Sequence, residues 1–263
     1  MTINTLQIND LTIEYFRFGD PAGKPFVIIP GVAVRSVMES ADFINVQYRA
    51  LAEEYDIYVI DRRKDMPAGY SVYDMADDTV RAMDMLSLKN AVVYGVSQGG
   101  MIGQTIAVKR PDLVQKLILC STSSHIPQDA VKIINKWIEF AENKNLRALM
   151  LSFAENIYTK AYCEKYRDAF IMFERLITDE DLQRFLIMVK GCDGFDVRDS
   201  LESIDAPVLV LGGRDDKIFP PENAEEIAEL TKGELYIYEN AAHGVYDENA
   251  DVIARIKEFA ERT

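Results

Sequence analysis

Short runs that are apolar at every position, among them Phe26-Val27-Ile28-Ile29 and Val208-Leu209-Val210-Leu211, recur along this chain. Between them lie longer stretches with a 3.6-residue apolar period. A strand that is apolar on both faces must be covered on both faces, a condition met mostly by parallel sheets lying between helical layers. Strands are expected at 6–8, 12–18, 26–29, 57–60, 91–94, 117–120, 208–211 and 234–238. Helices are expected at 41–54, 72–88, 98–110, 222–230 and 249–261. The first two strands, joined by Asn9-Asp10, read as a hairpin. Everything after them reads as successive β-α-β units, so the fold class is α/β with a mainly parallel, eight-stranded sheet flanked by helices.

One interval breaks this rhythm. About 85 residues separate Cys120 from Val208, where a crossover needs on the order of a dozen or two. The interval carries four helical patterns, at 128–143, 146–156, 161–176 and 179–189, the last opened by Thr178 or Asp179 as N-cap. The expected organisation is a core formed by 1–122 and 204–263, with a helical cap inserted at 123–203.

Composition narrows the functions open to such a chain. With 263 residues, 48% of them hydrophobic, it can bury a large core and is not intrinsically disordered. A net charge of −14 repels phosphate, and the longest basic run is Arg62-Arg63-Lys64, so nucleic acid is not an expected partner. The apolar runs fall far short of the roughly 18–20 residues that span a bilayer. Residues 1–10 lack the basic and apolar regions of a secretory signal, so the expected address is cytoplasmic. Cys120, Cys163 and Cys192 have no metal-ligand spacing and read as reduced thiols. By segment the charge is −3 over 1–125, −2 over 126–200 and −9 over 201–263. The cap is nearly balanced, so the acidity reads as a solubility feature and not as selection of a cationic substrate through the cap.

The segment Gly95-Val96-Ser97-Gln98-Gly99 is a G-x-S-x-G placed between an expected strand and an expected helix. Alone, the pattern arises by chance in about one chain in ten of this length, given ordinary Gly and Ser usage. Its context is what counts. A nucleophile elbow needs a strand, a tight turn with small residues around the serine, and a helix whose N-terminal N–H groups and dipole face a developing oxyanion. A serine needs a base, and the base needs an acid to hold its tautomer. The chain has two histidines. In strand-turn-helix hydrolases the order is Ser, acid, His, and His243, in the loop Asn240-Ala241-Ala242-His243-Gly244 after the last strand, satisfies it. The acid belongs after strand 208–211, where Asp215 and Asp216 compete.

At this point the chain resembles the α/β-hydrolases of the carboxylesterase, enol-lactonase and cofactor-free haloperoxidase type. The resemblance runs through the hairpin, Pro30-Gly31, Asp61, the elbow, Pro111, the approach to the acid strand and Ala242-His243-Gly244. It implies an acid motif G-x-x-D-x-x-x-P, which, set on Gly213 and Pro220, selects Asp216 and leaves Asp215 as a loop charge. It also implies an oxyanion hole from the N–H groups of Val32 and Gln98. The chain departs from relatives in having Pro30-Gly31 where many carry His-Gly. It also carries Asp61-Arg62-Arg63-Lys64-Asp65-Met66 where they carry a glycine-rich loop, so this loop is expected to differ in shape and to be more charged.

Other residues read as structural. Ser71 with Asp74 forms a capping-box variant, and Asp77 and Asp78 suit a first helical turn. Arg35 is expected to be ion-paired or at the surface, and His125 to be structural. No metal or organic cofactor is implied. The expected activity is cleavage of a small ester, thioester or lactone by Ser97, His243 and Asp216 through an acyl-enzyme, with a small-molecule acyl substrate as the partner and a homo-oligomer left open. Two alternatives use the same scaffold: a carbon–carbon bond hydrolase on the same triad, and a slow-turnover ligand receptor. A dinucleotide-binding oxidoreductase is disfavoured, because the glycines do not match G-x-G-x-x-G.

Overall fold

The structure, a computed structural model describing residues 1–262, contains eight strands: β1 Ile3–Ile8, β2 Leu11–Gly19, β3 Lys24–Ile29, β4 Tyr55–Arg63, β5 Ala91–Val96, β6 Val114–Cys120, β7 Val208–Gly213 and β8 Glu234–Tyr238. They form one sheet in the order β1-β2-β4-β3-β5-β6-β7-β8. The β1–β2 and β2–β4 pairs are antiparallel and the rest are parallel. The hairpin turns at Asn9, whose φ of 57° suits an asparagine.

Along each central strand alternate residues enter opposite layers. Val27, Ile29, Val93, Leu117, Leu119 and Val210 pack in one buried cluster. Phe26, Ile28, Tyr94, Ile118, Leu209 and Leu211 pack in the other. Helices cover both faces. The first cluster meets α2 Val72–Met85, α3 Gln98–Lys109 and α9 Pro221–Thr231 through residues such as Met75, Ile102 and Ile227. The second meets α1 Ala41–Gln47 and α11 Val252–Glu261 through Ala41, Ile256 and Phe259. Each large apolar side chain buried in this way contributes about 1.5–3 kcal/mol, which is why a sheet apolar on both sides demands both layers.

Between β6 and β7 lie α4 Gln128–Glu142, α5 Leu146–Ile157, α6 Lys160–Phe173, α7 Asp179–Lys190 and the short α8 Arg198–Leu201. The short α10 Val245–Glu248 precedes α11. The N-cap of α7 is Thr178, which exchanges capping-box bonds with Asp181. That of α2 is Ser71, paired likewise with Asp74. Asp77 instead pairs with Lys109 at 2.7 Å, and Asp78 accepts from Tyr70 Oη at 2.8 Å.

Two boundaries differ from the sequence reading. The helix expected over 41–54 stops at Gln47, because Tyr48 turns inward to sit beside the buried ring of Tyr94, 5.9 Å between centroids. The fourth strand continues to Arg63, so Asp61 and Arg62 are buried strand residues and not a charged loop. Their burial is possible because each finds partners at the carboxyl end of the sheet. Between β3 and β5 the strand order reverses direction. In open α/β sheets, ligands bind beyond the strand carboxyl ends at such a point, which here means Pro30 onward and Ser97.

Candidate active site

Ser97 links β5 to α3 with φ 53° and ψ −121°, a conformation disfavoured for any residue with a side chain. Close packing enforces it. A Cβ at Gly99 would lie 2.0 Å from the Ile29 carbonyl oxygen, and one at Gly95 would lie 2.4 Å from the Gly99 oxygen. The turn is pinned by Ser97 N–H donating to Cys120 O at 2.9 Å and Thr122 Oγ1 donating to Ser97 O at 2.7 Å. From residue 91 to 100 only Ser97 is more than marginally exposed.

His243 and Asp216 meet at the ends of β8 and β7. Asp216 Oδ2 lies 2.8 Å from His243 Nδ1, and the two side chains are 0% and 3% exposed. A carboxylate only accepts, so Nδ1 carries the proton and Nε2 is the free ring nitrogen. The other Asp216 oxygen accepts from the N–H groups of Ile218 and Phe219, at 2.8 and 2.9 Å. Those bonds fix the carboxylate plane. Asp215 points outward and is exposed, its N–H bound to Ala241 O. The Phe219 ring packs 5.6 Å from the imidazole.

Ser97, His243, Val32 and Gln98 line one cavity of about 40 Å³, and Asp216 stands behind His243. All five residues expected from the sequence are thus brought to one place. The remaining walls are apolar, with Trp137 and Phe153 from α4 and α5, and Val189 and Cys192 at and after the end of α7. Burial pushes the Cys192 thiol up to about 11, so it is a neutral wall group. Among the described residues no three His, Cys, Asp or Glu side chains cluster to hold a metal ion.

Several residues beneath the elbow escaped the sequence reading. Gln98 contributes more than a backbone N–H: its side chain donates to Met188 O at 2.7 Å and accepts from Arg62 Nη2 at 3.1 Å. Burial, with Arg184 as a neighbouring cation, pulls the Arg62 guanidinium down to about 10. Asp61 accepts from Arg184 Nη2 at 2.6 Å and from Ser36 Oγ at 2.9 Å. The signal available in the sequence was the polar Asp61-Arg62 pair directly after an all-apolar strand. His125 lies away from the cavity, 3.4 Å from Glu226, and Arg35 is paired with Glu39.

Comparison with known proteins agrees with this fold. The sequence profile of the alpha/beta hydrolase fold family matches residues 24–250. RutD of Rhizobium rhizogenes, named as a carbamate hydrolase, is 28% identical over 208 residues, 76% of this chain and 79% of that protein. The crystal structure of MGS-M2, an alpha/beta hydrolase from a deep-sea metagenome library, superposes with a TM-score of 0.89 at 19% identity over 99% of this chain and 98% of its own. The enol-lactonase of Burkholderia xenovorans superposes with a TM-score of 0.84 at 20% identity, over 98% of this chain and 100% of its own. With its elbow between β5 and α3 at the reversal of the sheet, this chain belongs to the α/β-hydrolase fold family.

Proposed function

We propose that the protein is a serine hydrolase that cleaves small esters, thioesters or lactones, with Ser97, His243 and Asp216 as its catalytic triad. In this reading Ser97 Oγ attacks the acyl carbon while His243 Nε2 takes its proton. The N–H groups of Val32 and Gln98 stabilise the tetrahedral oxyanion, and His243 returns the proton to the leaving group. Water, activated by the same imidazole, then attacks the acyl-enzyme carbonyl and releases Ser97. The single observation that carries the reading is the buried 2.8 Å Asp216–His243 bond beside the cavity that both Ser97 and His243 line.

Residues 123–203 act as the cap over this site, with 1–122 and 204–263 as the catalytic core. The cavity, about 40 Å³, has room for only a few non-hydrogen atoms, since one water occupies roughly 10–15 Å³ on that measure. That supports a short acyl group, acetyl-sized or a carbamoyl group as in the relative named for carbamates. A cytoplasmic setting accords with three free cysteines.

The test is covalent labelling with a fluorophosphonate, read by intact-mass spectrometry on wild type and Ser97→Ala. One adduct on the wild type, located at Ser97, and none on the variant are expected. Undiminished labelling of Ser97→Ala removes Ser97 from the mechanism.

A further inference from the structure

A second cavity, of about 270 Å³, shares Gly31, Val32, Phe153, Ile157 and Tyr246 with the one at Ser97 and extends past α1 and the start of α10. Most of its lining is aliphatic or aromatic, and among the described residues Asp247 is the single charged one on it. The Asp247 carboxylate accepts from Tyr158 Oη at 2.8 Å and from Gln47 Nε2 at 3.1 Å. Both donors are neutral, and two bonds leave lone pairs unused on an acceptor with about four sites. Burial raises this carboxyl above its ordinary range. A partly buried anion with neutral partners is an electrostatic debt that a cationic ligand can cancel. Rings from Phe43, Tyr48, Tyr158 and Tyr246 complete the walls, and aromatic rings attract cations at short range.

The two cavities differ in size by a factor that assigns them. The smaller fits a short acyl group at Ser97, so the larger receives the other limb of the substrate. We propose that it is the leaving-group subsite, and that it selects esters whose alcohol carries a compact protonated amine, held by Asp247. The proposal rests on the serine-hydrolase reading. It places cation preference in one carboxylate beside the site and not in overall acidity, consistent with a net charge of only −2 over residues 126–200.

The test compares two near-isosteric acetates, 2-(dimethylamino)ethyl acetate, protonated at pH 7, and 3-methylbutyl acetate, which is neutral. For wild type, kcat/KM for the cationic ester is expected to exceed that for the neutral one by at least about tenfold. In Asp247→Asn, which keeps an acceptor for Tyr158, the ratio is expected to fall to about one. A second measurement uses no turnover: 2-(dimethylamino)ethanol should raise the Tm of Ser97→Ala and fail to raise that of Ser97→Ala/Asp247→Asn. A wild-type ratio near one, or the same ratio in Asp247→Asn, overturns the proposal. So does an amino alcohol that leaves the Tm of Ser97→Ala unmoved. Failure of the hydrolase reading has a different signature, in which neither acetate is hydrolysed and fluorophosphonate does not label Ser97. The Tm measurement then decides the cation site by itself.

Discussion

Asp215 and Asp216 are adjacent and chemically identical, yet the structure gives them opposite surroundings. Asp216 accepts three bonds while fully buried; Asp215 faces solvent. Asp216→Asn presents an amide to His243 and favours the wrong ring tautomer, so kcat is expected to fall by on the order of 10³–10⁴-fold. Asp215→Asn is expected to change kcat/KM by less than about twofold. Steady-state kinetics on both variants, with circular dichroism to confirm folding, check the assignment, and equal losses would refute it. A different balance holds at Asp247, where burial outweighs two hydrogen bonds and raises the carboxyl. A raised native value means that the native state binds this proton more tightly than the unfolded chain does. Its stabilising contribution is therefore complete below the unfolded value and is lost as pH rises through the native one. Replacing Asp247 by Asn removes that loss. The Tm of Asp247→Asn relative to wild type is accordingly expected to climb as pH is raised above the ordinary aspartate value of about 3.9, read by calorimetry at several pH values. A gap that narrows over that rise contradicts the account.

The helices between β6 and β7 are fastened to the core by polar bonds that converge under the elbow. Arg184 on α7 reaches Asp61 on β4 at 2.6 Å, the two side chains being 15% and 6% exposed. Met188 on the same helix accepts from the Gln98 side chain. Removing one partner of a buried pair costs about 3–5 kcal/mol, because the other charge is left uncompensated. Here Arg62 stays close to Asp61, so Arg184→Leu is expected to lower the unfolding free energy by about 2–3 kcal/mol in urea titration. Asp61→Asn/Arg184→Leu should recover at least half of that loss, and a double variant no more stable than Arg184→Leu would show that the cost lies elsewhere. This network also marks where the sequence stopped being informative. The central strands are readable because each contains a short all-apolar run and periodicity needs no partner to be seen. The elbow and the position of His243 are readable from local spacing and chain order, whereas Asp216 is told from its neighbour Asp215 only through the family resemblance. The excess length between β6 and β7 announced the inserted helices. Nothing local, however, tells that Asp61 pairs with a residue 123 positions later, or that the Gln98 side chain bonds Met188. Such pairs exist only once the helices have docked, and for the same reason the sequence alone presents the end of β4 as loop.

The charge of the whole molecule sets a term that no single ion pair supplies. The net −14, with −9 in the last 63 residues, creates long-range repulsion that opposes the compact state. Several ion pairs, such as Lys132–Asp129 and Lys144–Asp179, are exposed on both sides. Pairs of this kind contribute about 0–1 kcal/mol each and are screened by the same salt that screens the repulsion. With 43 acids against 29 bases, the unpaired excess is negative and the repulsion wins. Raising NaCl from about 10 mM, where the Debye length is roughly 30 Å, to about 150 mM, where it is roughly 8 Å, removes most of that repulsion. At pH 7.5 the Tm is therefore expected to rise by about 2–4 °C, the equivalent of about 1 kcal/mol for a chain of this size. Near pH 4.7, the isoelectric point of the sequence, the net repulsion vanishes while ion pairs between residual charges persist. There the same addition of salt is expected to leave the Tm unchanged or to lower it. Scanning calorimetry over the two salt concentrations at the two pH values makes the comparison. A salt response of the same sign and size at both would show that the gain is a general salting-out effect on apolar burial and not relief of charge.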